Sequence, residues 1–369
     1  MPLNGEFTLI DTIAHLVQPT LANAPTLLQG IGDDCAIMQP TAGMVEVATT
    51  DLLVESVHFD LLTTPLSHLG SKAISVNVSD ICAMNALPRY ALVSLALPPT
   101  FSKKMVEELY GGMVHAAQAY GIAIAGGDTS ASRSGLMISI TAIGEALPTQ
   151  LTRRSGAQLD DLLCVTGTLG GSMAGLKLLM REKEIMLEHL RNNEPVNRNL
   201  LADLDEYREL MQRHLLPTAR LDVVRLFHRL GIQPTAMIDI SDGLSSEVQH
   251  ICRHSNCGAL LHESRIPIHA TTRQLADEMQ EEPLTWALTG GEEYQLLFTL
   301  PEATYQQLAH ERDIHVIGTI TPTNEGMVLE EMFGIRIDLT TIHGFDHFAP
   351  SGNDDGNTEN EEEEFEDGV

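Results

Sequence analysis

Seven aspartates stand at the edges of apolar, glycine-punctuated segments: Asp33, Asp34, Asp51, Asp80, Asp128, Asp239 and Asp242. A carboxylate beside a strand-like run is costly unless a cation or a set of donors faces it. Several together raise that cost, because like charges at close range force one another to protonate. A hard divalent cation such as Mg²⁺ relieves it, since it takes oxygen ligands, keeps several waters and shares itself with substrate phosphates. The pattern therefore points to a metal–phosphate site assembled from distant parts of the chain.

Each local cluster also has a plain alternative. Gly30-Ile31-Gly32-Asp33-Asp34 is a flexible loop ending in two acids, and many surface turns look the same. Thr49-Thr50-Asp51 sets hydroxyl or carbonyl oxygens beside an acid, a good hard-cation set. Gly126-Gly127-Asp128 would let backbone N–H groups approach a phosphate while the acid holds its metal. Asp239-Ile240-Ser241-Asp242-Gly243 puts two acids and a hydroxyl just before a helix, where simple capping would also explain them. Capping is a poor account of all four clusters at once. His58 follows soon after Asp51; a lone histidine is more often structural. Arg153-Arg154 supplies cations, or is a solvated pair. Gly290-Gly291-Glu292 is an acidic turn, and Phe345 is an aromatic between Gly344 and Asp346. Gly170 to Lys177 mimics a phosphate loop, but Leu176-Lys177 fails the required Gly-Lys-Ser/Thr ending, so an ordinary strand-to-helix turn is preferred.

The elements that would position these groups alternate. Val45 to Thr50 reads as a strand with Asp51 at its end. Pro65 to Leu87 reads as a helix with Gly70, Ala73, Asn77, Asp80 and Met84 on one face and Ile74, Val78 and Ile81 on another. Tyr90–Leu97, Ile122–Ala125 and Leu136–Gly144 read as strands, with a helix over Phe101–Tyr120 closed by Gly121. Beyond Pro148, strands are expected at Leu162–Thr166, Ala236–Ile240, Trp286–Thr289, Gln295–Leu300 and His315–Ile320. Helices are expected from Ser172, over Leu221–Leu230 and over Leu244–His254. Alternation of this kind expects an α/β or α+β fold.

The chain has 369 residues, enough for two domains: 1–147, 148–350, and an acidic tail, 351–369, expected to be disordered. A formal net charge of −29 argues against nucleic acid or anionic membrane as partner. It also means that bound phosphate needs metal or local arginine to screen it. The five cysteines form no C-x-x-C pair, and no leader or membrane span is legible, so a soluble, cytoplasmic protein with reduced thiols is expected.

Taken together, Gly30–Asp34, Thr49-Thr50-Asp51-x-x-Val54-x-x-x-His58-Phe59 and Lys72-Ala73-x-x-Val76-Asn77-x-Ser79-Asp80 resemble the thiamine-monophosphate kinase family. So do Gly126–Thr129, Leu151-Thr152-Arg153, Asp239–Leu244 and Leu288–Glu292, in order along nearly the whole chain. Aminoimidazole-ribonucleotide synthetase and selenophosphate synthetase share the wider pattern. The resemblance implies a two-domain aminoimidazole-ribonucleotide synthetase-like fold. Its N-terminal domains would pair across a homodimer into a β-barrel flanked by helices, with a C-terminal α/β domain covering the cleft. It implies Mg²⁺-dependent transfer of the ATP γ-phosphoryl group to thiamine phosphate. Asp34, Thr49, Thr50, Asp51, Asp80, Asp128, Asp239 and Asp242 would hold several Mg²⁺ ions. Gly127, Asp128, Arg154 (or its neighbour Arg153) and Ser241 would contact ATP, and His58, Glu292 and Phe345 the thiamine moiety. Glu293 and Gln295 depart from the family's Gly-Gly-Glu-Asp-Tyr-Glu pattern. Direct in-line transfer, with no phosphoenzyme and no general base, is expected because the acceptor phosphate is already ionised at neutral pH. Another synthetase of the superfamily, a metal-dependent phosphohydrolase and a non-enzymatic metal scaffold remain open alternatives.

Overall fold

The computed structural model describes residues 6–22, 24–192 and 206–344. After helix α1 (Glu6–Leu21), strands β1 (Leu27–Gln29) and β2 (Ile37–Met38) form a small antiparallel hairpin. Strand β3 (Val45–Val54), helix α2 (Leu66–Ala83), β4 (Leu87–Leu97), helix α3 (Lys103–Tyr120), β5 (Ala123–Ala131) and β6 (Met137–Ala146) follow. Their sheet has the order β3-β6-β4-β5, with only β4 and β5 parallel. It is open: among the described residues β3 and β5 are unclosed edges, so the expected barrel is absent from the single chain. The expected order of strand, helix, strand, helix, strand, strand is observed for these six elements.

The second sheet contains β7 (Leu162–Thr166), β8 (Ala236–Asp239), β9 (Gly258–His262), β10 (Leu296–Leu300), β11 (Ile314–Thr321), β12 (Met327–Glu330) and β13 (Arg336–Asp338). Its order is β13-β12-β9-β11-β7-β10-β8, antiparallel except where β12 meets β9. The helices of this half are α4 (Gly171–Arg191), α5 (Arg208–Leu215), α6 (Leu221–Leu230), α7 (Leu244–Ser255), α8 (Ala270–Met279), α9 (Pro283–Thr289) and the short α10 (Glu302–Tyr305). The architecture is mixed α/β in both halves.

Helix α2 joins the halves. From Leu69 to Ala83 nearly every residue is buried, so it has no solvent face. Ile74, Val78 and Cys82 belong to one apolar cluster with Leu109 and Met113 of α3, Val224 and Phe227 of α6, Met237 of β8 and Phe298 of β10. A helix buried on every side is part of the core, and the polar groups it carries there need partners. They have them: Ser71 donates to Gly112 O at 3.0 Å, Asn77 to Ala73 O at 3.0 Å, and Ser79 to Asp239 at 2.6 Å, while Ser75 accepts from Tyr120 at 3.0 Å. Close contact with α3 depends on two glycines. A methyl group on Gly112 would sit 1.8 Å from Ser67 O, and one on Gly70 would sit 2.0 Å from Leu109 O.

Three sequence expectations are corrected. Asp51 lies inside β3 rather than at its end, and Gly126-Gly127-Asp128 continues β5 rather than forming a turn. Both strands run on because β6 and β4 supply ladder partners through Val54 and Ala131. Trp286–Thr289 is the end of helix α9, started by Pro283 at its first turn. A short apolar run carries no period of its own, and Pro283 was the helix signal. The acidic tail from 351 lies outside the described residues, as does Phe345.

Candidate active site

A cleft of about 850 Å³ opens between the two sheets. Asp51 reaches it from β3, Val76 and Asp80 from α2, Asp239 from the end of β8, and Ser241 and Asp242 from the turn before α7. His58 and Glu292 line its other part. Residues more than 200 positions apart in sequence, such as Asp51 and Glu292, thus share one cavity.

The carboxylates crowd. Burial first, and then the charge of Asp80, push Asp51 up to about 6. Burial and Asp80 likewise push Asp239 up to about 7, against the hydrogen bond from Ser79. Burial also raises Asp80, with the Thr49 hydroxyl bond and the Arg154 charge offsetting part of it. Three buried carboxyls that resist ionisation, two of them repelled by the third, are the donor chemistry a hard cation satisfies. Among the described residues, no three acidic, histidine or cysteine groups are placed as a ready-made metal cage. Mg²⁺ sites commonly use one or two carboxylates, with water and substrate phosphate completing the shell, so the Asp51, Asp80 and Asp239 donors fit such an ion with a phosphate ligand. Asp242 stands beside them, its backbone N–H donating to Glu247 at 3.0 Å. Burial pushes Glu247 up to about 8.

The other expected ligands are placed differently. Strand alternation turns Thr49 toward Asp80, while Thr50 points to the opposite face of the sheet and accepts from Thr141 at 3.2 Å. Asp34 is exposed in the loop that joins β1 to β2, next to Asp33, which accepts from Gln29 and from the Asp34 N–H at 2.9 and 2.8 Å. Gly127 and Asp128 are exposed on edge strand β5. None of these four lines the cleft. Arg154 is exposed, near enough for its charge to act on Asp80 and Asp239.

At the far part of the cleft, Glu292 takes a left-handed backbone conformation, φ 62°. Its N–H donates to Ser241 O at 2.7 Å, and the Tyr294 N–H donates to Ile240 O at 2.8 Å, pinning this turn to the Asp239–Asp242 loop. Lys72 lies beneath it, only 2 % exposed, with Nζ 2.7 and 2.8 Å from the two Glu292 oxygens. His214 Nδ1 stands 3.3 Å from Glu292. Burial would raise Glu292, but Lys72, His214 and His58 together hold it below the usual glutamate range. Burial and Lys72 hold His214 down to about 4, so it is neutral at pH 7. His58 Nδ1 accepts the Val54 N–H at 3.1 Å, which places the proton of the neutral ring on Nε2. The departures at 293 and 295 have structural roles. Glu293 accepts the Ser172 N–H at the start of α4 at 3.0 Å, and Gln295 accepts from Thr166 and Arg220 at 2.8 Å each.

A wall not foreseen from the sequence closes this part of the cleft. Met173, Leu176, Leu179 and Met180 of α4 line it, and so does the ion pair of Lys183 with Asp60. Lys72 was visible in a motif but had no role there. Its signal was the one Lys or Arg of this helix, one and two turns before Val76 and Asp80.

Two family models match the chain: AIR synthase related protein, N-terminal domain, over residues 32–146, and AIR synthase related protein, C-terminal domain, over residues 160–331. A two-sheet fold with an acidic cleft is thus of the AIR synthase-related class. The thiamine-monophosphate kinase of Bacillus subtilis (strain 168) is 33% identical over 355 residues, covering 93% of this chain and 99% of the relative. The solved thiamine-monophosphate kinase of Stenotrophomonas maltophilia K279a aligns at a TM-score of 0.72 and 32% identity, covering 90% of this chain and 98% of that one. A structure described as AaThiL complexed with AMPPCP and TMP is 34% identical at a TM-score of 0.67, covering 89% and 95%. The chain belongs to the thiamine-monophosphate kinase family, and it is an enzyme of that family.

Proposed function

We propose that this enzyme transfers the γ-phosphoryl group of ATP to thiamine phosphate, giving thiamine diphosphate and ADP. One observation supports the reading: a single cleft is lined both by the clustered carboxylates and by Glu292. Lys72, the partner of Glu292, and Asp80 are eight positions apart, or about 12 Å along α2 at about 1.5 Å per residue. A substrate with a cationic ring and a distal phosphate suits that spacing. Glu292 and His58 would receive the thiazolium ring, with Phe345 added on family resemblance alone.

Asp51, Asp80, Asp239 and Asp242 would hold Mg²⁺, with Thr49 orienting Asp80. Bound there, Mg²⁺ supplies charge neutralisation and alignment for two mutually repelling phosphates. Arg154 adds fixed positive charge beside these acids. Asp34, Thr50, Gly127, Asp128 and Ser241 complete the proposed metal and ATP contacts from the family pattern. No side chain is needed as a base, since the acceptor oxygen is ionised at neutral pH. The nucleotide and acceptor therefore meet directly, in a ternary complex. We place the domain boundary near 147 and the enzyme in the cytoplasm as a homodimer.

Initial rates of ADP release test the reading. The expected result is dependence on both thiamine phosphate and Mg²⁺, with intersecting double-reciprocal plots. Ping-pong kinetics would reject the direct transfer. ATP hydrolysis indifferent to thiamine phosphate would reject the activity itself.

A further inference from the structure

We propose that Lys72 is a positioning residue, which sets the place of the acceptor's cationic ring by anchoring Glu292 to helix α2. This inference rests on the proposed activity, and it adds a residue with no assigned part in it. Three observations support it. Lys72 is almost wholly buried, and both oxygens of Glu292 are within 2.8 Å of its Nζ. An ammonium in that setting must have a carboxylate partner, so the pair is fixed rather than incidental. Glu292 occupies a left-handed backbone conformation that a non-glycine residue adopts at some cost. Its turn is tied by backbone bonds to Ser241 and Ile240.

The third observation concerns the helix. The same α2 binds the C-terminal half a second time, at the end of β8, where Ser79 donates to Asp239 at 2.6 Å. Lys72 and Ser79 are therefore two pins between one rigid helix and the C-terminal half, separated by about two turns. One pin fixes the carboxylate end of the cleft and the other fixes Glu292. The distance between acceptor ring and transferred phosphate is then set by α2 as well as by the turn that carries Glu292. Catalysis of phosphoryl transfer is mostly positioning, so a displaced Glu292 would weaken acceptor binding without disturbing the nucleotide.

Steady-state kinetics of Lys72→Met, Glu292→Gln and the double variant test this, with Lys72→Arg as a charge-conserving control. Lys72→Met is expected to raise the thiamine phosphate KM about tenfold or more, while the ATP KM moves less than about twofold. Lys72→Arg should recover much of the loss. In the Glu292→Gln background, Lys72→Met should add less than about twofold, because its effect passes through the missing carboxylate. Independent, multiplying effects would overturn the proposal, as would an unchanged acceptor KM or equal losses for both substrates. If Lys72→Met fails to fold, Lys72→Gln takes its place: a raised acceptor KM with a near-wild-type ATP KM supports the proposal, and an unchanged acceptor KM or parallel changes in both overturn it. Wild-type enzyme inert toward thiamine phosphate would instead reject the activity and is read out separately.

Discussion

At the level of single residues, the acids of the cleft are a liability that only a cation removes. Asp51→Asn is expected to lower kcat at least about 100-fold, the scale on which a preorganised electrostatic contact is lost. Its melting temperature should match or exceed that of wild type, because a desolvated, repelled carboxylate has been deleted. The pH dependence has a definite sign. Asp51 and Asp239 titrate near 4 when unfolded and at about 6 and about 7 when folded. Between those limits the folded chain holds more protons than the unfolded chain, so these groups lose stability as pH rises from about 4 to about 7. The urea midpoint of metal-free enzyme is expected to be lower at pH 7.5 than at pH 5.5. Added Mg²⁺ should narrow the gap. A midpoint that rises across this window would show that the carboxylates are not buried together. Asp51, Asp80, Asp239 and Asp242, which share the cleft, stood out in sequence because carboxylates beside apolar runs need an explanation, whereas Glu292 read as an ordinary turn and stood out only through the family resemblance. Lys72, Glu247 and His214 were not, since their meaning lies in partners that only the folded chain brings near.

At the level of elements, reading was most reliable where a period was long. Helices α2, α3, α6 and α7 were expected within a few residues of their ends. The failures have separate causes. The α9 segment was too short to show a period, and strands β9, β12 and β13 are brief pieces whose identity depends on ladder partners. Position within β3 mattered more than its existence, because alternation separates Thr50 from Thr49 and Asp51. The tight meeting of α2 with α3 gives a prediction at this level. Gly112→Ala must push Ser67 and the α2 backbone away, and overpacking of this sort costs about 1–3 kcal/mol. Chemical denaturation should show that loss. At the exposed Gly111, one position away, the same change meets nothing within 4 Å and should be neutral or stabilising.

The whole molecule raises the question of what covers the outer face of the four-stranded sheet. Helices α2 and α3 pack on one side, while Ala48, Thr50 and Leu52 of β3 are exposed on the other. Pairing of two such sheets would close the barrel that one chain lacks. Light scattering is expected to give the mass of a dimer, and Ala48→Lys to shift it to monomer at micromolar concentration. A monomeric wild type would remove the barrel from the proposal. The net charge of −29 adds an expectation that association strengthens with salt, as screening weakens repulsion between like-charged partners.

Because α2 is at once the floor of the cleft and the middle of the main apolar cluster, the chemistry and the resistance to melting share one piece of chain. Occupancy of the cleft should therefore be felt by the whole fold, and a single calorimetric peak should move upward as nucleotide and acceptor are titrated in. The same sharing narrows the routes open to variation: an amino-acid change that tunes the floor also tests the keel.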